Sequence, residues 1–202
     1  MKNNNSITTW LFAPFRFIAG VKALIIGLAV MFLLSILGYL SNTHFDGALD
    51  IHYGCLAADT LYLNHIIYQL AGWGLLTVVF YLTARIVTKS SIRLIDIAGT
   101  MALSQAPLIF AALLGFIPSF HICIGDINTT KIGEMMAILR ENAVMMTIAG
   151  LTTMLFAIWS VVLKYNAYTV SANIKGVVGG ISFAIALIVA EILSKIALYI
   201  IL

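Results

Sequence analysis

The chain has 202 residues, of which 62% are hydrophobic and 9% charged, against about 25% charged in an ordinary soluble domain. So few polar side chains cannot cover a water-facing surface, which excludes a soluble globular protein and makes lipid the expected solvent. The formal net charge of +3 is too small to point to nucleic acid, and no nucleic-acid partner is expected.

In lipid every backbone N–H and C=O needs an internal partner, so spans are helices or closed barrels. The apolar runs here are long and continuous, without the period-two alternation of barrel strands, which selects helices. The expected fold is all-α: a single polytopic membrane domain with five transmembrane helices.

In chain order, residues 7–19 come first, with Trp10-Leu11-Phe12-Ala13-Pro14-Phe15-Arg16-Phe17. Aromatic rings with one Arg suit the headgroup layer, so this segment reads as an interfacial anchor or a docking surface for a cytoplasmic partner. Apolar runs of spanning length follow at about 20–40, 65–87, 94–118, 142–164 and 176–201. The first is longer than a cleavable signal's core and ends in Gly38-Tyr39-Leu40-Ser41, without an A-x-A-like site, so it reads as a retained span. With the N-terminus inside, Lys2, Arg16, Lys22, Arg85, Lys89, Arg93, Lys164 and Lys175 fall on the cytoplasmic side, and only Lys131 and Arg140 in outside loops. That bias predicts an N-in, C-out protein of the cell membrane.

The loop after the first span holds His44, Asp46, Asp50 and His52, on the same side as His65 and His121. Imidazole with carboxylate oxygen suits zinc or another borderline divalent ion. The alternative is a polar loop with Asp and Gly in turns and His at helix ends. Cys55 and Cys123 are both expected outside, where a disulfide between them could persist or both could stay unpaired.

Glu191 and Lys195 form an i,i+4 pair of opposite sign in the fifth span. Gly176, Gly180 and Ala184 make a small-residue row on that helix, and the pair projects near it, so the bundle interior is its expected location. It reads as a self-satisfied ion pair or as part of a proton or ion pathway, unless Lys195 snorkels to the surface. In the third span Asp96, Thr100, Ser104 and Pro107 share one face beside Gln105. Pro107 is expected to kink the helix and free a carbonyl near Ser104. Gln69, Trp73, Thr77 and Arg85 mark the second span. The chain has no P-loop, no G-x-S-x-G and no H-E-x-x-H, so no catalytic residue and no cofactor is expected.

Two stretches carry a family resemblance: Arg93-Leu94-Ile95-Asp96-Ile97-Ala98-Gly99-Thr100 through Ala106-Pro107-Leu108, and Trp159-Ser160-Val161-Val162-Leu163-Lys164 before the small-residue start of the fifth span. With five short-looped N-in, C-out spans, the chain resembles the Yip family, multi-pass proteins that in eukaryotes bind Rab-type GTPases. The likeness runs over about residues 12–200 and is to the prokaryotic branch, since the acidic-aromatic motif of eukaryotic members is absent before the first span. It implies a five-span fold and a membrane location, and no reaction. The expected function is therefore non-catalytic: membrane organisation or partner binding, with other membrane proteins, self-association and the lipid bilayer as partners. The alternatives are a small transporter or channel using the polar faces of the third and fifth spans, and a membrane protein with an extracytoplasmic metal site.

Overall fold

The computed structural model describes residues 7–54, 60–121 and 132–202. Cys55 and Cys123, with the bridge considered between them, lie outside the described residues. A short helix α1 (Ile7–Phe12) and a 3-10 turn (Pro14–Arg16) lead into α2 (Gly20–Ser41). After a loop come α3 (Tyr62–Val87), α4 (Leu94–Leu103), α5 (Leu108–Leu114), a 3-10 turn at Pro118–Phe120, α6 (Ile132–Ala172) and α7 (Gly176–Ile201). Among the described residues five stretches are long and apolar enough to cross a membrane: Gly20–Ser41, Tyr62–Val87, Leu94–Leu114, Met135–Ala172 and Gly176–Ile201.

Local chemistry sets several boundaries. Asn42, in the left-handed region at φ 48°, ends α2, a role that Asn fills more easily than other side-chain-bearing residues. The third span is not one helix to residue 118. It breaks into α4 and α5 around Pro107, which has no N–H to donate to the preceding turn. Beyond it the Leu108 amide bonds the Gln105 carbonyl at 2.9 Å, so the Ser104 carbonyl is left for another donor.

The fourth span departs most from expectation. Where 142–164 was anticipated, α6 runs unbroken for 41 residues, roughly 60 Å at the helical rise. Lys164 therefore sits inside a helix, 1% exposed, and Arg140, expected in a loop, likewise lies within α6.

Helices α2 and α4 meet at glycines. A Cβ on Gly27 would lie 2.5 Å from the Ala102 Cβ, and one on Gly99 would lie 2.7 Å from the Leu24 backbone nitrogen. Small residues let the two backbones touch. The main core joins α3, α6 and α7, where the Phe80 ring packs at 5.2 Å from Tyr168 and 5.5 Å from Phe183. A second cluster joins Leu34, Phe45, Leu108 and Ala112.

On α7 the buried stripe is Gly179, Ser182, Phe183, Ala186, Leu187, Ala190, Ser194 and Leu198. This corrects the expected packing row: Gly180 and Ala184 face outward, and a Cβ on Gly176 or Gly180 would meet nothing within 4 Å. Both rows have helical spacing, and the bulky Phe183 seated in the aromatic core decides between them.

The N-terminal segment docks on the bundle. Trp159 donates its indole N–H to the Leu11 carbonyl at 2.9 Å, and Asn166 donates to the Phe12 carbonyl at 2.9 Å. Phe15 is buried, while Ile7, Trp10, Leu11, Phe12 and Phe17 keep exposed apolar surface.

Candidate functional site

Residues 42–54, between α2 and α3, fold back onto the bundle. Within them Thr43 pairs opposite Tyr53 and His44 opposite His52 as a minimal antiparallel ladder, the one departure from an all-helical chain among the described residues. Phe45 and Ala48 are buried. The Tyr53 hydroxyl donates to the Ala111 carbonyl at 3.1 Å and shares a 2.9 Å bond with the Thr153 hydroxyl. Burial pushes the Tyr53 phenol above its ordinary pKa, with Thr153 opposing. His121 adds a pin: its two ring nitrogens face the Gly54 and Gly115 carbonyls at 2.7 and 2.5 Å.

Three side chains of α7 hold the middle of this loop. Glu191 accepts the Leu49 amide at 2.7 Å, and the Ser194 hydroxyl accepts the Ala48 amide at 3.0 Å. Lys195 bonds the Asp50 carboxylate and lies 3.2 Å from Asp46 Oδ2. The self-satisfied Glu191–Lys195 pair is thus not what forms; each turns to the loop instead. Loop amides stripped of water need an acceptor, and a carboxylate is the strongest one in reach. Gly47 makes the approach possible, since a Cβ there would stand 2.7 Å from Glu191 Oε1.

Asp46 is shared between Lys195 and His52, whose Nδ1 lies 3.3 Å from Asp46 Oδ1. The contact is an ion pair when His52 is protonated, and Oδ1 makes no well-aligned hydrogen bond. Burial works against the charged carboxylate, but the His52 ring and the Lys195 ammonium prevail and hold it down to about 2. The Asp46 carboxylate raises His52 above the ordinary imidazole value against the effect of burial. His44 is shifted the other way, lowered by burial and then by the neighbouring His52, with Asp46 opposing.

His44 stacks on His52 at 5.1 Å between centroids with planes 5° apart, and meets the His65 ring at 5.1 Å. His65 comes from α3, is 1% exposed, and packs against Tyr39 and Tyr68. Both its ring nitrogens are buried without a hydrogen-bond partner among the described residues, as are the Gln69 amide and the Thr77 hydroxyl. These three share one face of α3. A small cavity of about 10 Å³ lies between Gln69, Tyr68, Gly72 and Gln105, the volume of about one water.

Of the four residues read as metal ligands, Asp46, Asp50 and His52 place ligand atoms within 4.8 Å of one another. His44 does not join them; it donates Nε2–H to Asn42 Oδ1 at 2.9 Å. The Lys195 ammonium already bridges the two carboxylates, which supplies the cation their charge demands.

The other residues singled out in the spans have separate roles. Asp96 stands in the first turn of α4, 3.5 Å from exposed Arg93, where a carboxylate suits the helix N-terminus; it is not a charge deep in the bundle. Thr100 donates to the Asp96 carbonyl at 2.7 Å and meets Ser171 at 3.1 Å. Ser104 donates to the Met101 carbonyl, while its own carbonyl, released by the break at Pro107, accepts from Ser160 at 3.0 Å. Ser160 in turn accepts from Lys164 at 2.6 Å. Trp73 donates to the Ala98 carbonyl at 2.9 Å, and Arg85 is exposed near the end of α3.

Lys164, Ser160 and Ser194 are polar participants that sequence reasoning missed. The signal for Lys164 was the apolar pattern continuing past it through Tyr165, Ala167, Tyr168 and Val170. Ser194 carried none, because its role depends on a loop about 146 residues away. No protein-family model, curated protein or solved structure matches the chain.

Proposed function

We propose that the chain is a multi-pass protein of the cell membrane, N-terminus cytoplasmic and C-terminus outside, acting without catalysis as a membrane-organising or partner-binding protein of Yip-like type. Five helices of spanning length and the interruption at Pro107 support the architecture. With Lys164 and Arg140 both counted within α6, the segments read as cytoplasmic keep Lys2, Arg16, Lys22, Arg85, Lys89, Arg93 and Lys175 against Lys131, which supports the positive-inside argument.

One observation carries the functional reading. Glu191 and Lys195, the charges that would line a path through α7, are engaged by the loop. What remains is a folded cap and a long α6 whose Val144, Leu151, Met154 and Leu155 are exposed, an apolar surface open to lipid and to other membrane proteins or a second copy.

Photo-crosslinking residues at Val144, Leu151 and Leu155, compared with Ile185 and Ile188 on α7, test this in membranes. A discrete protein adduct confined to the α6 positions is expected, with solute flux at background in proteoliposomes. Flux that Glu191→Gln abolishes while the protein stays folded overturns it. Labelling a cysteine at Ser90 and one at Asn42 from the two sides tests orientation; labelling from the same side removes the topology.

A second reading, a solute or proton pathway along α3, is favoured by the buried and unpartnered His65, Gln69 and Thr77. The same flux measurement with Gln69→Leu decides it.

A further inference from the structure

Between the loop and α6 runs a groove of about 460 Å³, lined by Leu49, Ile51, Phe120 and one face of α6 from Met146 to Ala157. That face carries Ala149, Gly150 and Ala157. Small residues on a membrane helix ordinarily mark close packing. Gly150 instead marks open space beside the buried Ala149, for a Cβ on Gly150 would meet nothing within 4 Å. The groove is mainly apolar, with Asp50, His52, Tyr53 and Thr153 as its polar lining. A largely apolar concavity of this size with few convergent polar groups is the usual form of a small-molecule site.

The polar lining selects the occupant. Asp46 is taken from both sides by His52 and Lys195. The side chains left half open are the Asp50 carboxylate, 45% exposed, and the His52 imidazole, 50% exposed. One is anionic and the other is held towards its cationic form by Asp46, so the rim offers one charge of each sign beside an apolar trough. A purely anionic headgroup would be repelled by Asp50, whereas an ammonium hydrogen-bond donor can join Lys195 on its half-exposed carboxylate.

We propose that this groove binds one phospholipid laterally from the bilayer, an acyl chain along Met146–Ala157 and a zwitterionic head with a primary ammonium on Asp50 and its phosphate on His52. The proposal rests on the membrane reading above and deepens it: the bound lipid makes the loop and α6 one surface. Lys195 stays on Asp46 when Asp50 turns to the ammonium.

Native mass spectrometry of protein extracted in detergent, stripped of lipid and then offered phosphatidylethanolamine, phosphatidylcholine or phosphatidylglycerol tests it. One phosphatidylethanolamine is expected to be retained, several-fold in preference to the other two. Gly150→Leu, which fills the trough on an open helix face, abolishes retention without lowering the melting temperature. Asp50→Asn keeps a bound lipid but loses the preference among headgroups. Equal retention of all three lipids by the wild type, or undiminished retention by Gly150→Leu, overturns the proposal. Recovery of the chain in the soluble fraction would instead remove the membrane reading itself, so the two failures are distinguishable.

Discussion

Glu191 Oε2 lies 2.7 Å from the Leu49 amide nitrogen, and this bond joins the last helix to the loop after the first across most of the sequence. An acid in an apolar helix four residues before a lysine invites an intrahelical pair. The loop amide outcompetes the lysine because an amide buried without an acceptor costs more than a half-exposed ammonium that has two other carboxylates in reach.

The clasp needs an acceptor rather than a charge. Glu191→Gln keeps a carbonyl oxygen for Leu49 and is expected to stay near wild-type stability in detergent. Glu191→Ala leaves the amide bare and should cost about 1–3 kcal/mol. Thermal or chemical unfolding of the two variants side by side checks this, and equal losses count against the clasp.

Gly47→Ala places a methyl against the same carboxylate and should cost about 1–3 kcal/mol through overpacking. The double variant Gly47→Ala with Glu191→Ala should lose less than the sum of the two, since the clash disappears with the carboxylate. Strict additivity would show that Gly47 matters for some other contact.

The imidazoles give the loop a stability optimum in pH. His52 is raised in the folded state, so its contribution is complete below the ordinary imidazole value of about 6.5 and fades as pH rises through its folded value. His44 is lowered, so folded protein resists its protonation and stability falls as pH drops below about 6.5. Asp46 adds a further loss only as pH falls below the ordinary carboxyl range towards about 2. Melting temperature against pH should therefore be domed. His52→Gln should flatten the alkaline limb and His44→Gln the limb just below neutrality, and unchanged profiles would disconnect these rings from loop stability.

Lys195 competes with any divalent ion for Asp46 and Asp50. Equilibrium dialysis of the wild type should show no stoichiometric zinc at neutral pH, whereas Lys195→Met frees Asp46, Asp50 and His52 to take the ion. Tight zinc binding by the wild type, lost in His52→Ala, would revive the metal reading.

Lys164, buried on Ser160, is expected to tolerate Lys164→Met with equal or higher stability, because a buried ammonium replaced by an apolar chain of similar size often gains. A loss beyond about 2 kcal/mol would instead assign it a necessary bond.

The helices of spanning length and apolarity, and their number among the described residues, were legible in the amino-acid sequence because each depends on a sum over a local window. About 20 apolar residues in a row have one solvent in which the backbone is satisfied, whatever lies elsewhere. The kink at Pro107 was equally local, following from a missing N–H. Which face of α7 packs, whether Lys164 lies in a loop or a helix, and where Glu191 and Lys195 find partners were decided only in three dimensions. Gly176–Gly180–Ala184 and Gly179–Phe183–Ala186 have similar spacing, and only a neighbour for Phe183 distinguishes them. Likewise Asp46 and Asp50 lie about 145 residues from Lys195. An ion pair falls off with distance in space, and the contact exists because α7 and the α2–α3 loop meet at one end of the bundle.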